Sequence, residues 1–323
     1  MKKMKSFYHI RYRFYKPNQK EHTIFAISDI HFSEKTAESL ERLAKKAEQL
    51  QPQLTTISGD LVDSLSSIDS SHEAKRLEAW LKRLGKVAPV VICLGNHDFY
   101  RKADNFHSAI SKDRGYYIDS PDPLIKLVNS IENVHLLNDE SYEDHDFYVY
   151  CLTLPPDYYS YDEKVSPIDE DANILINKLD SASKKLAKLP KHKTKIALIH
   201  SPAHLTDERA KQVLDQFDFV LAGHMHNGIV PPLLNEIWRS HRGIITPGKR
   251  VFQDYNTRID LYGKNLIVLG AVTTIQAGAK PFSWLNHAYP VNIATIETSH
   301  NEIYARKPDI YKKYVKWSNN EEK

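Results

Sequence analysis

The sequence predicts an α/β protein, on three observations. Short apolar runs alternate with helix-length amphipathic stretches. The runs are dense in β-branched residues, which suit a buried pleated surface. The residues with metal-ligand chemistry fall just after such runs, at the edge where open α/β sheets build their sites.

Residues 23–28 (TIFAIS) read as a buried strand. Residues 34–50 carry Ala37, Leu40, Leu43, Ala44 and Ala47 at helical spacing, with Ser33 as the N-cap. Residues 54–58 are a second strand, 71–84 a second helix closed by Gly85, and 89–94 (PVVICL) a third strand. This order predicts parallel pairing with right-handed crossovers. A helix follows at 123–130, strands at 134–137 and 147–154, a long helix at 169–189, and strands at 195–199 and 217–221. Residues 243–298 are strand-rich, and the charged end from His300 frays or docks as a helix. The organisation is one large domain at 23–299, a basic aromatic arm at 1–22 and a charged tail at 300–323.

The chain has 323 residues, 41% apolar and 26% charged, which excludes collagen, wholesale disorder and coiled coil. A net charge of +3 gives no overall case for nucleic acid or membrane binding. The longest apolar runs, 87–94 and 266–275, fall short of the roughly 18–20 residues of a membrane span. The basic N-terminus lacks the apolar core of a secretory signal. Cys93 and Cys151 lie in apolar runs, as buried free thiols do. A reducing, cytoplasmic setting is expected. Lys2, Lys3, Lys5, Arg11, Arg13, Lys16 and Lys20 interleave with Phe7, Tyr8, Tyr12, Phe14 and Tyr15. The stretch reads as a strand or arm with rings packed inward; the alternative is peripheral contact with anionic lipid, or with nucleic acid.

Five blocks carry the chemistry: Asp29-Ile30-His31, Gly59-Asp60-Leu61-Val62-Asp63, Gly95-Asn96-His97-Asp98, the lone His200, and Gly223-His224-Met225-His226. Their ligands are oxygen and imidazole nitrogen, with no thiolate, which argues against a structural zinc site. The i, i+2 spacing of Asp29/His31 and of His224/His226 puts each pair on one side of an extended segment. Gly59, Gly95 and Gly223 let the chain turn so that the next side chain faces the site. Asp29, His31, Asp60, Asn96, His200, His224 and His226 are more ligands than one open ion needs. They suit two ions sharing a bridging carboxylate, the arrangement used for phosphoester hydrolysis. Taken singly, each block reads equally well as a turn or surface pair; the ordered set does not.

The set D-x-H, G-D-x-x-D, G-N-H-D, a lone His and G-H-x-H resembles the calcineurin-like metallophosphoesterase superfamily, over residues 23–298. The resemblance implies a four-layer α/β/β/α sandwich of two stacked mixed sheets. It implies two divalent ions (Mn, Fe, Zn, Co or Ni), with Asp29, His31 and His226 on one, Asn96, His200 and His224 on the other, and Asp60 between. His97 would act near the leaving oxygen as general acid or phosphate donor. Asp98 would orient His97 through its other ring nitrogen, and Asp63 would tie loops together. Residues 59–64 (GDLVDS) resemble the bacterial phosphodiesterase group, which favours a phosphodiester over a phosphomonoester. Residues 227–232 (NGIVPP) depart from that group's usual Gly-Gly-Gln stretch, which affects the pocket wall more than the metals. The alternatives are a lipid pyrophosphatase at the membrane surface, a nuclease, and a catalytically silent binding scaffold; the intact ligand set argues against the last.

Of the remaining histidines, His9, His22, His72, His135, His145, His192 and His300 have polar or strand-edge contexts and read as surface or packing residues. His204, four residues after His200, and His241 are weaker candidates for substrate contact. Lys249 and Arg250 could bind phosphate or flank an ordinary turn. Tyr158, Tyr159 and Tyr161 could wall a pocket or cover the core.

Overall fold

The computed structural model describes residues 6–102, 116–156, 168–202, 205, 208–226, 245–246, 250–251, 266–272, 291–304 and 309–316. In chain order the elements begin with β1 (Ser6–Tyr15), β2 (Thr23–Ile27), α1 (Ala37–Leu50), β3 (Leu54–Ser58), α2 (Ser71–Gly85) and β4 (Val90–Cys93). Next come β5 (Tyr100–Lys102), β6 (Tyr116–Ile118), α3 (Asp122–Asn129), β7 (Val134–Leu137), β8 (Glu140–Glu143) and β9 (Phe147–Leu152). They end with α4 (Ile168–Leu186), β10 (Thr194–Ile199), α5 (Glu208–Leu214), β11 (Phe219–Ala222), β12 (Ile245–Thr246), β13 (Arg250–Val251), β14 (Leu266–Val268), β15 (Val291–Ser299) and β16 (Asp309–Lys316).

Two sheets carry the fold, ordered β16-β1-β15-β2-β3-β4-β7 and β14-β11-β10-β9-β8. The first is parallel from β2 through β7, as the sequence suggests, but mixed beyond it: β15 runs antiparallel to β2, β1 parallel to β15, and β16 antiparallel to β1. In the second, β9, β10, β11 and β14 are parallel and β8 is an antiparallel edge. Strands β3, β4 and β9 are buried along their whole length, which is why they read as continuous apolar runs.

Three apolar clusters define the layers. Ile24, Ala26, Val91 and Tyr8 of the first sheet meet Val149, Leu198 and Phe219 of the second, so the sheets stack face to face. On the outer face of the first sheet lie Leu43 and Ala47 of α1, Leu77 and Leu81 of α2, and Leu124 of α3. On the outer face of the second lie Leu175 and Leu179 of α4 with Ala210 and Val213 of α5. This is the expected four-layer sandwich.

The basic N-terminal stretch is strand β1, inside the larger sheet. Tyr8, Ile10, Tyr12 and Phe14 point between the sheets, where Phe14 meets Phe219 at 4.8 Å. Arg11 and Arg13 lie on the other face and pair with Glu297 at 3.0 and 2.7 Å. The segment after His300 forms β16 against β1, not the helix its charge suggested. The Ser33 cap is also corrected: Thr36 closes that turn, its hydroxyl donating to the Ser33 carbonyl (2.8 Å) and accepting the Ser33 N–H (3.0 Å). Both cysteines are free and buried. Among the described residues, no helix is long and apolar enough to cross a membrane.

Candidate metal centre

The carboxyl ends of β2, β3, β4, β10 and β11 meet at one edge of the sandwich. Beyond them the loop after β2 and the loop after β3 stay zipped together. The Asp29 N–H donates to the Gly59 carbonyl (3.2 Å), His31 to Asp60 (2.9 Å) and Phe32 to Leu61 (2.9 Å). The second sheet joins through His200, whose Nδ1–H donates to the Ser58 carbonyl at 2.6 Å. Ser28 donates to that same carbonyl (2.9 Å).

Five of the seven ligand backbones are left-handed, and both i, i+2 pairs are among them, not extended as that spacing suggested. Asp29, His31, Asp60, His224 and His226 have φ of 53°, 45°, 51°, 65° and 49°. The preceding glycines act in two ways. Gly59 has φ 80° and needs that freedom. Gly95 is extended (φ −113°), so space is what it supplies: a Cβ there would lie 2.3 Å from Asp60 Oδ1 and 2.4 Å from the Asp60 nitrogen.

Three groups of ligand atoms converge: Asp29 with His31 and His226; His31 with Asp60 and His97; Asp60 with His200 and His224. His31 Nε2 and His226 Nε2 are 3.4 Å apart, and His226 Nε2 is 3.3 Å from Asp29 Oδ1. Asp60 Oδ2 lies 3.3 Å from His200 Nε2 and 3.7 Å from His31 Nε2, between the outer groups. Its Oδ1 accepts the His97 N–H (2.8 Å), and the Asp29 carboxylate accepts the His224 N–H (3.1 Å). Asn96 is buried, and its Oδ1 has no hydrogen-bond partner among the described residues.

The electrostatics follow from burial and close neighbours. Burial raises the carboxyls of Asp29 and Asp60, but His226 beside the first and His200 beside the second outweigh it and hold both below the usual carboxylate range. Burial, then His97, pulls His31 down to about 3; burial, then His200, does the same to His224. Burial lowers His200 too, but the Asp60 and Asp29 carboxylates override it and push it up to about 9. Metal binding requires ionised carboxylates and neutral imidazoles. Asp29, Asp60, His31 and His224 are held in those forms, whereas His200 keeps a proton between the two carboxylates that an incoming ion would have to displace. With the buried, unsatisfied Asn96 oxygen, this all-oxygen-and-nitrogen set fits a divalent transition metal.

Two features depart from the sequence reading. Asp98 does not touch the His97 ring. Its Oδ1 accepts the Val62 N–H (3.0 Å) and its Oδ2 the Gly95 N–H (2.9 Å), so it ties the loops after β3 and β4. Burial, then Asp60, pushes its pKa up to about 7. His97 is oriented instead by the Asp63 main-chain carbonyl, to which its Nδ1–H donates at 2.8 Å. That leaves Nε2 for other partners. The Asp63 side chain lies 3.7 Å from Lys102. Ser28 and Ser58 went unread in the sequence; the signal was a polar residue closing each apolar run just before Asp29 and Gly59. His204, His241, Lys249, Tyr158, Tyr159, Tyr161 and residues 227–232 lie outside the described residues, and of Arg250 only the backbone, in β13, is described.

Two stacked mixed sheets with Asp and His ligands gathered at their common edge define a metal-binding α/β sandwich. The chain belongs to the calcineurin-like phosphoesterase family, whose model matches residues 22–228. Members of this superfamily are metal-dependent phosphoesterases, and the chain is a hydrolase of that broad kind. No curated protein matches the sequence. Among solved structures, the chain is similar to a dimetal phosphatase from Danio rerio (11% identity, 92% of this chain and 99% of that one, TM-score 0.48). It is also similar to a Thermus thermophilus protein (12% identity, 63% and 82% covered, TM-score 0.40) and a Pseudomonas putida nuclease (19% identity, 63% and 61% covered, TM-score 0.29).

Proposed function

We propose that the chain is a two-metal phosphoester hydrolase that prefers phosphodiesters. One observation carries the two-metal reading: the buried Asp60 carboxylate reaches toward His200 on one side (3.3 Å) and His31 on the other (3.7 Å), as a bridging ligand must. Asp29, His31 and His226 would hold one ion; Asn96, His200 and His224 the other. Ions held there would supply Lewis acidity, lowering the pKa of water and neutralising charge on the phosphoryl oxygens. The all-nitrogen-and-oxygen set suits Mn, Fe, Zn, Co or Ni.

The chain's own residues do the rest. The His200 Nδ1–H···O=C bond to Ser58 turns the His200 Nε2 toward Asp60. The bond to Asp63 fixes the His97 ring with Nδ1–H committed to the carbonyl. Its Nε2 would therefore donate to a phosphoryl oxygen or protonate the departing alkoxide from the imidazolium form, which becomes neutral as the proton leaves. The diester preference is supported by the resemblance of residues 59–64 to the bacterial phosphodiesterase group.

The test is hydrolysis of bis-p-nitrophenyl phosphate beside p-nitrophenyl phosphate by chelated protein reloaded with Mn²⁺, Zn²⁺, Fe²⁺, Co²⁺ or Ni²⁺. Metal-dependent cleavage with faster turnover of the diester is expected. Monoester cleavage alone would refute the diester preference, and no turnover with any metal would refute the hydrolase reading.

A further inference from the structure

A row of aromatic rings leaves the metal centre in one direction. His31 meets His97 edge-on at 4.6 Å between ring centroids, His97 meets Tyr100 edge-on at 5.6 Å, and Tyr100 meets Tyr116 at 6.2 Å with a 35° tilt. The two tyrosines stand on the β5–β6 hairpin, where Tyr100 pairs with Ile118 and Lys102 with Tyr116. Cross-strand partners share a face, as do residues two apart on a strand. Tyr100, Lys102, Tyr116 and Ile118 therefore form one face, and Arg101 and Tyr117 the other.

Among the described residues this face is partly open and its one cation is paired. Ile118 is 47% exposed, and Tyr100 and Tyr116 are half-buried. The Lys102 charge is balanced by Asp63 at 3.7 Å. Arg101, from the opposite face, holds both oxygens of Asp69 (2.6 and 2.7 Å) and one of Asp119 (2.6 Å). The Lys102 N–H donates to Ser66 (3.1 Å). Ester hydrolysis does not need two fixed, partly open tyrosine rings beyond His97.

We propose that Tyr100 and Tyr116 form the binding surface for an aromatic ring carried by the leaving alcohol of the substrate, a nucleoside or an aryl group. The inference rests on the hydrolase reading above, in which His97 stands beside the leaving oxygen. The body attached to that oxygen then lies past His97, over the tyrosines. Rings that stack on or meet a tyrosine edge gain contact and quadrupole energy that an alkyl chain does not. Among the described residues, the pairing of Lys102 with Asp63 leaves this face without net charge, which disfavours a second charged headgroup.

Calorimetric binding to the metal-loaded protein tests this without turnover, using p-nitrobenzylphosphonate against methylphosphonate, which differ in the ring. The ring compound should bind about tenfold more tightly, the gain of one to two good ring contacts. Tyr100→Leu and Tyr116→Leu should each cut that preference to a few-fold, Tyr100→Phe and Tyr116→Phe should restore it, and metal content should not change. A second arm, competition by adenosine monophosphate against ribose 5-phosphate, tells a nucleoside from a simple aryl group. Equal affinity for the two phosphonates, no binding of either, or a ring preference that survives in the double leucine variant overturns the proposal. Failure of the hydrolase reading appears separately, as absent cleavage of bis-p-nitrophenyl phosphate with every metal.

Discussion

Asp98→Asn separates two roles for this carboxyl that the sequence alone could not. Each Asp98 oxygen accepts one main-chain N–H, from Val62 at 3.0 Å and Gly95 at 2.9 Å, and both donors are buried. The substitution keeps the volume but puts an NH₂ group where one oxygen accepted. One buried N–H is then left without an acceptor and faces another donor, which costs about 1–3 kcal/mol. Asp98→Ala strands both donors and should cost roughly twice as much, about 2–6 kcal/mol. The assay is urea unfolding of the metal-loaded protein, run beside turnover of bis-p-nitrophenyl phosphate across pH. The expected result is a lower unfolding midpoint, a pH profile of unchanged shape, and turnover per bound metal within a few-fold of the parent. An unchanged midpoint with a loss of about a hundredfold in turnover and a displaced pH profile would refute the reasoning, because general acid catalysis is worth that much. Asp98 would then act on the His97 ring after all.

Three further outcomes follow from the fold. Deleting residues 1–20 removes β1 and with it the buried Tyr8, Ile10, Tyr12 and Phe14. At about 1.5–3 kcal/mol each that is ~6–12 kcal/mol, comparable with a whole domain's stability. The truncated chain should be unfolded or insoluble by circular dichroism and gel filtration, and a folded, active truncation would refute this. Gly95→Ala should lower both metal content and unfolding midpoint, because the new methyl meets the Asp60 backbone at 2.4 Å and cannot be accommodated by a rotamer change; retention of both counts against the close packing. His9 is held neutral in the fold, pulled from 6.5 to about 4 by burial, then by Lys46 and Arg11. The unfolded chain binds that proton first, so stability is full above pH 6.5 and falls as pH drops toward 4. The loss is of order 2 kcal/mol, allowing for partial exposure. His9→Gln should flatten that part of the stability curve, and an unchanged slope would show that His9 is not the group responsible.

The ligand blocks were legible because each is contiguous and follows a strand buried at all or all but one of its positions, which leaves a short apolar run in the sequence. What the side chains bind to was less legible. Asp98 serves main-chain N–H groups, one of them 36 residues away, and no residue type at the far end records that contact. His97 is oriented by a main-chain carbonyl, which any residue at position 63 would offer. Strand β8 (ESYE) hid because it is an edge with no fully buried position, and α5 because seven residues give too few turns for a period. The place of β1 was hidden for a different reason. Its parallel neighbour β15 begins 285 residues after it, and strand alternation fixes which face is buried but not which partner is chosen.

Strain explains why the ligands are presented as they are. Of the eight non-glycine residues with positive φ among those described, five are Asp29, His31, Asp60, His224 and His226. A left-handed residue costs on the order of 1–2 kcal/mol, so the site stores a sizeable share of a domain's net stability. It persists because neighbouring loops over-determine it. The loops after β2 and β3 are zipped from Asp29 to Asp63, the last rung being the Asp63 N–H to the Phe32 carbonyl at 3.2 Å. The loop after β11 is pinned where the His224 N–H meets the Asp29 carboxylate. Asp29 therefore fixes a neighbouring backbone as well as offering an oxygen. Replacing it should displace His224 even with the imidazole itself untouched. The strained turns aim five side chains at one volume, and the unstrained sheets behind them supply the energy that holds the turns in place.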